Sequence, residues 1–257
     1  MADFIKQFWE GQAIAHGTSH TASWGDNWAI DLEIDCIGSF ISEGDNVLDV
    51  GCANGYSALR QLEKRPSSIV GIDFAESMIA AAEDAWRQNP DRERVRFERG
   101  DVRDINLEDE SFDVVYTTRV LINLPNWEEQ KQGIAECLRV AKKGGKVILS
   151  EAFWEPLVLL NSLRTLAGLP SLVEHDFNRY LKKVKLDDHL RSLGVTFECV
   201  EFSSVYYLGS RFVRELVTDP SKYPGYTNPI NRIFYNIEKE YSGGGFGIQQ
   251  AYVLHKS

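Results

Sequence analysis

The chain has 257 residues, 43% hydrophobic and 26% charged, enough to bury a large core in one α/β domain with a cover. With 28 Lys and Arg against 38 Asp and Glu, the net charge of −10 argues against a protein that binds by neutralising nucleic-acid phosphates. Cys36, Cys52, Cys137 and Cys199 form neither a disulfide framework nor a zinc pattern, and no apolar run nears the roughly 20 residues that span a bilayer, so the expectation is a soluble, cytoplasmic protein without a metal.

Residues 1–28 carry Trp9, His16, His20, Trp24 and Trp28 among Gly, Ser and Thr, a density that reads either as a hydrophobic latch on the core or as a flap over a site. From Asn27 the spacing Ile30, Ile34, Ile37, Ile41 predicts a helix, closed by Gly44. Val47, Leu48 and Val50 then read as a strand covered on both faces, broken by the single carboxylate Asp49. The turn Gly51-Cys-Ala-Asn-Gly55 follows, and a helix is predicted from Ser57 to Lys64. This spacing fits neither the Gly-x-Gly-x-x-Gly dinucleotide fingerprint nor a phosphate loop. Asp49 would also repel a pyrophosphate and attract a cation. The stretch Asn46–Ser57 resembles the first motif of the class I S-adenosyl-L-methionine (SAM) dependent methyltransferases, with Ala53 standing where the family has its middle glycine.

That resemblance implies one methyltransferase domain over 1–257: an N-terminal flap at 1–28, a SAM-binding core at 29–151, and acceptor-site cover at 152–185 and 204–245. Asp49, Gly51, Cys52 and Gly55 are its first cofactor positions. A second strand, Ser68–Asp73, ends in a carboxylate 24 residues after Asp49, placed to accept hydrogen bonds from both ribose hydroxyls. By resemblance Phe74 or Met78 covers the adenine, although Met78 reads equally as core, and a helix runs from Glu76 to Gln88. A third strand, Val95–Glu98, leads into Gly100-Asp101-Val102, which resembles the family's adenine-reading turn: Asp101 accepts from the exocyclic amine and the Val102 amide donates. A fourth strand, Phe112–Thr118, is followed by Arg119 and Asn123, which by resemblance lie beside the methionine moiety. A helix over Trp127–Lys142, ended by Gly144-Gly145, precedes a fifth strand, Lys146–Glu151.

Of the 29 aromatic residues, 16 lie after residue 151, so the acceptor site is expected there. Helices are predicted at Trp154–Leu169 and Leu186–Leu193, and strands at Val195–Ser203 and Gly247–Leu254. The family then implies a Rossmann-like seven-stranded sheet, mostly parallel with an antiparallel last strand, under a helical cover. The acceptor candidates are Asn178, Arg179, Tyr206, Tyr207, Arg211, Asn228 and Asn231. If Tyr206–Val217 is helical, Tyr207 and Arg211 share a face and can grip an anionic oxygen; alternatively Arg211 pairs with Glu215. His20 and His175 are the candidate bases if the acceptor is a hydroxyl. The expected activity is methyl transfer from SAM to an oxygen or nitrogen of a small, anionic metabolite, with no nucleic-acid or membrane partner, and no Asn-Pro-Pro-Tyr motif follows the fourth strand. A non-catalytic SAM-binding module and an NAD-dependent oxidoreductase are the alternatives.

Overall fold

A computed structural model describes residues 2–22, 24–87, 89, 91–219, 222 and 225–256. In chain order its elements are α1 (Ala2–His16), α2 (Asn27–Gly38), β1 (Asn46–Val50), α3 (Tyr56–Gln61), β2 (Ser68–Asp73), α4 (Glu76–Trp86), β3 (Val95–Arg99), β4 (Phe112–Thr118), α5 (Trp127–Val140) and β5 (Ala141–Ala152). They continue with α6 (Trp154–Leu166), α7 (Lys183–Ser192), β6 (Thr196–Val200), α8 (Ser204–Leu208), a π-helical turn (Gly209–Val213), α9 (Arg214–Val217), α10 (Pro229–Glu240) and β7 (Gln249–His255). The strands form one sheet in the order β3-β2-β1-β4-β5-β7-β6, with β7 antiparallel to both neighbours and the other pairings parallel.

Strand side chains alternate between faces, and here each face meets its own apolar layer. Val47, Ile69, Val114, Tyr116 and Ile148 pack with Leu32 and Ile37 of α2, Ile79 and Trp86 of α4, and Leu157 of α6. Leu48, Val50, Val70, Val115 and Val147 pack with Ile134 and Cys137 of α5 and Leu186 and Leu190 of α7. Asn126 caps α5 by accepting from the Glu129 amide at 3.0 Å, and Asn228 caps α10, where Pro229 stands in the first turn. No side chain of its own start caps α4; instead Glu10 of α1 accepts from the Glu76 and Ser77 amides, each at 3.0 Å.

In three places the structure adds to or moves the sequence expectations. Within the N-terminal segment, for which no element was predicted before Asn27, Ala2–His16 form a 15-residue helix, and the predicted end of α4 at Gln88 lies outside the described residues. Helix α5 ends at Val140, and β5 begins there, running through Gly144 and Gly145. Ala141 already pairs with Phe112, and Lys142 holds Asp113 at 2.8 Å, so sheet pairing overrides the helical pattern. The condition set for Tyr206–Val217 is met in a modified form, since 204–217 is helical with a π turn inside it; a Cβ on Gly209 would lie 1.9 Å from Phe234 Cγ, so α10 approaches where only glycine leaves room.

Candidate active site

At β1 and β4 the strand order changes direction, the place where an open α/β sheet leaves a crevice beyond its carboxyl ends. A continuous cavity of 890 Å³ opens there. One half is walled by the turns after β1, β2, β3 and β4: Val50, Gly51 and Ala53, then Asp73 and Phe74, then Gly100, Asp101 and Val102, then Thr118 and Arg119. Gly51 and Cys52 both donate to the Ile72 carbonyl, at 2.7 and 3.0 Å, which closes the first turn. Gly51 has φ +77°, and Ala53, standing at the family's glycine position, is held at φ +46°. The Ala53 amide donates to Asp73 Oδ2 at 3.0 Å and the Ala75 amide to Oδ1 at 2.9 Å, so the second strand's carboxylate is fixed by backbone and faces the cavity.

Asp49 lies beneath the turn, fully buried and not itself in the cavity wall, next to the Tyr116 hydroxyl, which in turn lies next to Ser57, and it is flanked by the carboxylates of Asp73 and Glu33. Burial pushes Asp49 up to about 7 and Asp73 up to about 6. Asp101 is gripped by Arg103 through Nε and Nη2, and although burial opposes ionisation these bonds hold its carboxyl below the ordinary range. Arg119 occupies the left-handed region at φ +57°, with Nη2 3.5 Å from Glu33 and its guanidinium 5.1 Å from the Trp24 ring. Strain at such a residue is characteristic of functional walls. Cys52, Gly55 and Met78 do not reach the cavity. Cys52 is buried in the core, Gly55 is pressed against Phe97, and Met78 packs with Ala13, Ala22 and Ala75 beneath α1, the core reading of that residue.

The other half is apolar and aromatic. Ile122, Leu157, Leu172, Tyr180, Tyr207 and Ile248 form its floor, Phe8 and Trp9 of α1 its roof, and Phe177 meets Phe8 with ring centroids 4.9 Å apart. Burial raises Tyr180 to about 12 and Tyr207 well above the ordinary phenol value, so both stay protonated at neutral pH. The Tyr207 hydroxyl donates to Gln249 Oε1 at 3.3 Å. Asn178 and Arg211 also face the cavity, whereas Arg179, Tyr206, Asn228 and Asn231 do not. Arg179 is turned to the Asp176 and Asn178 carbonyls, Asn228 caps α10, and Asn231 donates to the Tyr226 carbonyl. His175 lines the rim, exposed, with its ring stacked on Phe177; His20 opens a 3-10 turn, and its side chain lies outside the described residues.

Arg211 pairs with Asp26 rather than with Glu215, which Arg214 takes. Asp26 is fully buried, and it also accepts from the Tyr206 hydroxyl and from the Ala29 amide at the start of α2. The guanidinium sits 5.0 Å from both the Tyr207 and Tyr226 ring centres. Asp26→Leu alone leaves a buried cation unmatched and is expected to cost about 3–5 kcal/mol. Asp26→Leu with Arg211→Met should lose less. Urea unfolding compares them, and a double variant less stable than the single would contradict the pairing.

Asp26, Glu33 and Glu151, which hold residues of the cavity wall, are the ones that the sequence reading did not single out. Their partners are distant in sequence, Asp26 to Arg211 and Glu33 to Ser150 and Arg119, so no local spacing marks them. Glu151 alone carried a signal, as an acidic residue at the carboxyl end of a predicted central strand.

The methyltransferase-domain family model matches residues 47–145. The 27-O-demethylrifamycin SV methyltransferase of Amycolatopsis mediterranei is 29% identical over 80% of this chain and 74% of that one. The ubiquinone/menaquinone biosynthesis C-methyltransferase UbiE of Geobacter sulfurreducens is 36% identical over 112 residues, and the matched region spans only 43% of that protein's length. Among solved structures, the [4+2]-cyclase SpnF superposes with a TM-score of 0.60 at 24% identity, covering 89% of this chain and 82% of that one, a likeness of fold. The family model makes residues 47–145 a methyltransferase domain, and the sheet order with its reversed last strand, the glycine turn after β1 and these relatives together support a class I S-adenosyl-L-methionine-dependent methyltransferase.

Proposed function

We propose that the chain methylates an oxygen or nitrogen of a small molecule with a largely apolar body, the oxygen being favoured by the name of the relative that aligns over most of the chain. The observation that carries this reading is the continuity of the cavity, which joins a carboxylate-bearing half at the strand ends to an aromatic half beneath α1. SAM supplies a methyl group on a sulfonium, an electrophile that a nucleophile attacks in line. Its fit rests on the donor set: Asp73 for the ribose hydroxyls, Phe74 and Val102 against the adenine, Asp101 for its amine, and Arg119 beside the methionine carboxylate. Buried Asp49 beneath the turn, flanked by the carboxylates of Asp73 and Glu33, favours a cationic ligand above it. The aromatic walls exclude water and orient the acceptor, and orientation alone can supply much of the rate. A hydroxyl acceptor would give its proton to His175 at the rim; His20 is the other candidate base, its side chain lying outside the described residues. An anionic group fits Arg211 less well than a neutral one, because Asp26 already meets that charge.

Calorimetric titration with SAM and with NAD, followed by mass analysis of hydroxylated and amino-bearing apolar acceptors, tests the reading. Tight SAM binding and mass gains of one methyl group are expected; binding of NAD in place of SAM would overturn it.

The same carboxylates set a pH dependence. Asp49, Asp73 and Glu151 have folded values of about 7, 6 and 7, above their ordinary 3.8, 3.8 and 4.5. Between those limits the folded chain binds more protons than the unfolded one, so their contribution to stability falls as pH rises towards 7. A cationic ligand near Asp49 and Asp73 favours their ionised forms, so SAM affinity should rise from pH 5.5 to pH 8, by up to roughly 1.4 kcal/mol for each tenfold change in the acidity of a carboxyl group. Calorimetry across that range checks this, and an affinity that falls with pH would contradict it.

A further inference from the structure

The segment after β4 bends sharply: Arg119 takes its left-handed φ and Leu121–Asn123 form a 3-10 turn. This bend is a wall common to both halves of the cavity. Val120 packs on the glycine turn so closely that a Cβ on Gly51 would lie 2.1 Å from Val120 Cγ2. Ile122 faces the aromatic half, and its carbonyl accepts from the Arg179 amide at 2.6 Å.

Such a turn leaves successive amides without helical partners, and buried they would cost stability. They converge on Glu151. The Val120 and Leu121 amides donate to Oε1, each at 3.1 Å, the Ile122 amide to Oε2 at 3.3 Å, and Thr117 Oγ1 to Oε1 at 2.8 Å. Glu151 is fully buried, and no Lys or Arg ion-pairs with it among the described residues. A carboxylate held only by dipoles is costly to bury, and an apolar residue would fill the same space more cheaply. What it uniquely provides is one acceptor centre for three consecutive amides.

We propose that Glu151 is a positioning residue for methyl transfer, fixing through the Val120, Leu121 and Ile122 amides the wall against which cofactor and acceptor are seated. The proposal rests on the reading that the cavity takes SAM. Calorimetric titration of SAM and S-adenosylhomocysteine into wild type, Glu151→Gln, Glu151→Ala and Thr117→Val, with thermal melting of each, tests it. Glu151→Gln keeps an acceptor for Thr117, Val120 and Leu121 but turns its NH₂ against the Ile122 amide. It should bind both ligands about tenfold more weakly, and Glu151→Ala at least about a hundredfold more weakly while folded. The partial rescue by Gln separates positioning from mere support. Should the Ala variant fail to fold, Glu151→Gln and Thr117→Val decide. Lower melting temperatures with wild-type affinities in both would overturn the proposal. A wild-type chain that binds neither ligand is a different pattern, one that overturns the SAM reading and the proposal with it.

Discussion

Asp73→Ala is expected to weaken SAM binding by about two to four orders of magnitude, corresponding to two hydrogen bonds to a charged acceptor at roughly 1.5–3 kcal/mol each. The structure adds a second route to the same loss. Asp73 accepts from the Ala53 and Ala75 amides, so its removal frees the glycine turn and the entry to α4 as well as the proposed ribose contact. Asp73→Asn separates the two, since it keeps one carbonyl acceptor for these amides and loses the charge. Calorimetry on variants whose circular dichroism matches wild type measures the effect. A folded Asp73→Ala with unchanged affinity would remove the ribose assignment.

Gly55→Val should cost about 2–5 kcal/mol of stability and abolish SAM binding through the turn rather than by obstructing the ligand. Gly55 has φ +76°, and its Cβ would lie 2.6 Å from Phe97 Cζ and 3.2 Å from Ala82 Cβ. A branched side chain forced into the left-handed region accounts for about 1–2 kcal/mol, and the overpacking for about 1–3 kcal/mol more. The melting temperature should therefore fall by roughly 4–20 °C. Adding Phe97→Leu should recover part of the packing loss and none of the backbone strain. A variant that melts with wild type and binds SAM normally would mean that the turn tolerates what this geometry forbids.

Gly55 and Gly209 illustrate two grades of legibility. The need for glycine at Gly55 was visible from the strand-turn-helix motif, because the turn is local and its backbone geometry is written in consecutive residues. Gly209 lies in a helical stretch without any such marker, and its requirement arises from Phe234, a residue of another helix. The strands divide in the same way. The bounds of β1, β2 and β4 follow from short apolar runs ended by glycine or a polar residue, whereas the start of β5 was misplaced because Ala141 and Lys142 extend a helical pattern until Phe112 and Asp113 recruit them.

The sequence by itself determined the motif turn, the acidic residues that end β2 and follow β3, the alternation of strands and helices, and hence the family. Each of these depends on neighbours within a few residues, or on a spacing that one βα unit fixes. Tertiary structure alone decided that α1 roofs the cavity and that Met78, Asn228 and Asn231 pack away from it. It also decided that Arg211 is matched by Asp26, and that Glu151 gathers the amides of the bend after β4. The physical reason is common to all four: a buried charge or an apolar face is satisfied by whatever group the folded chain brings within a few ångströms, and sequence separation carries no record of that distance.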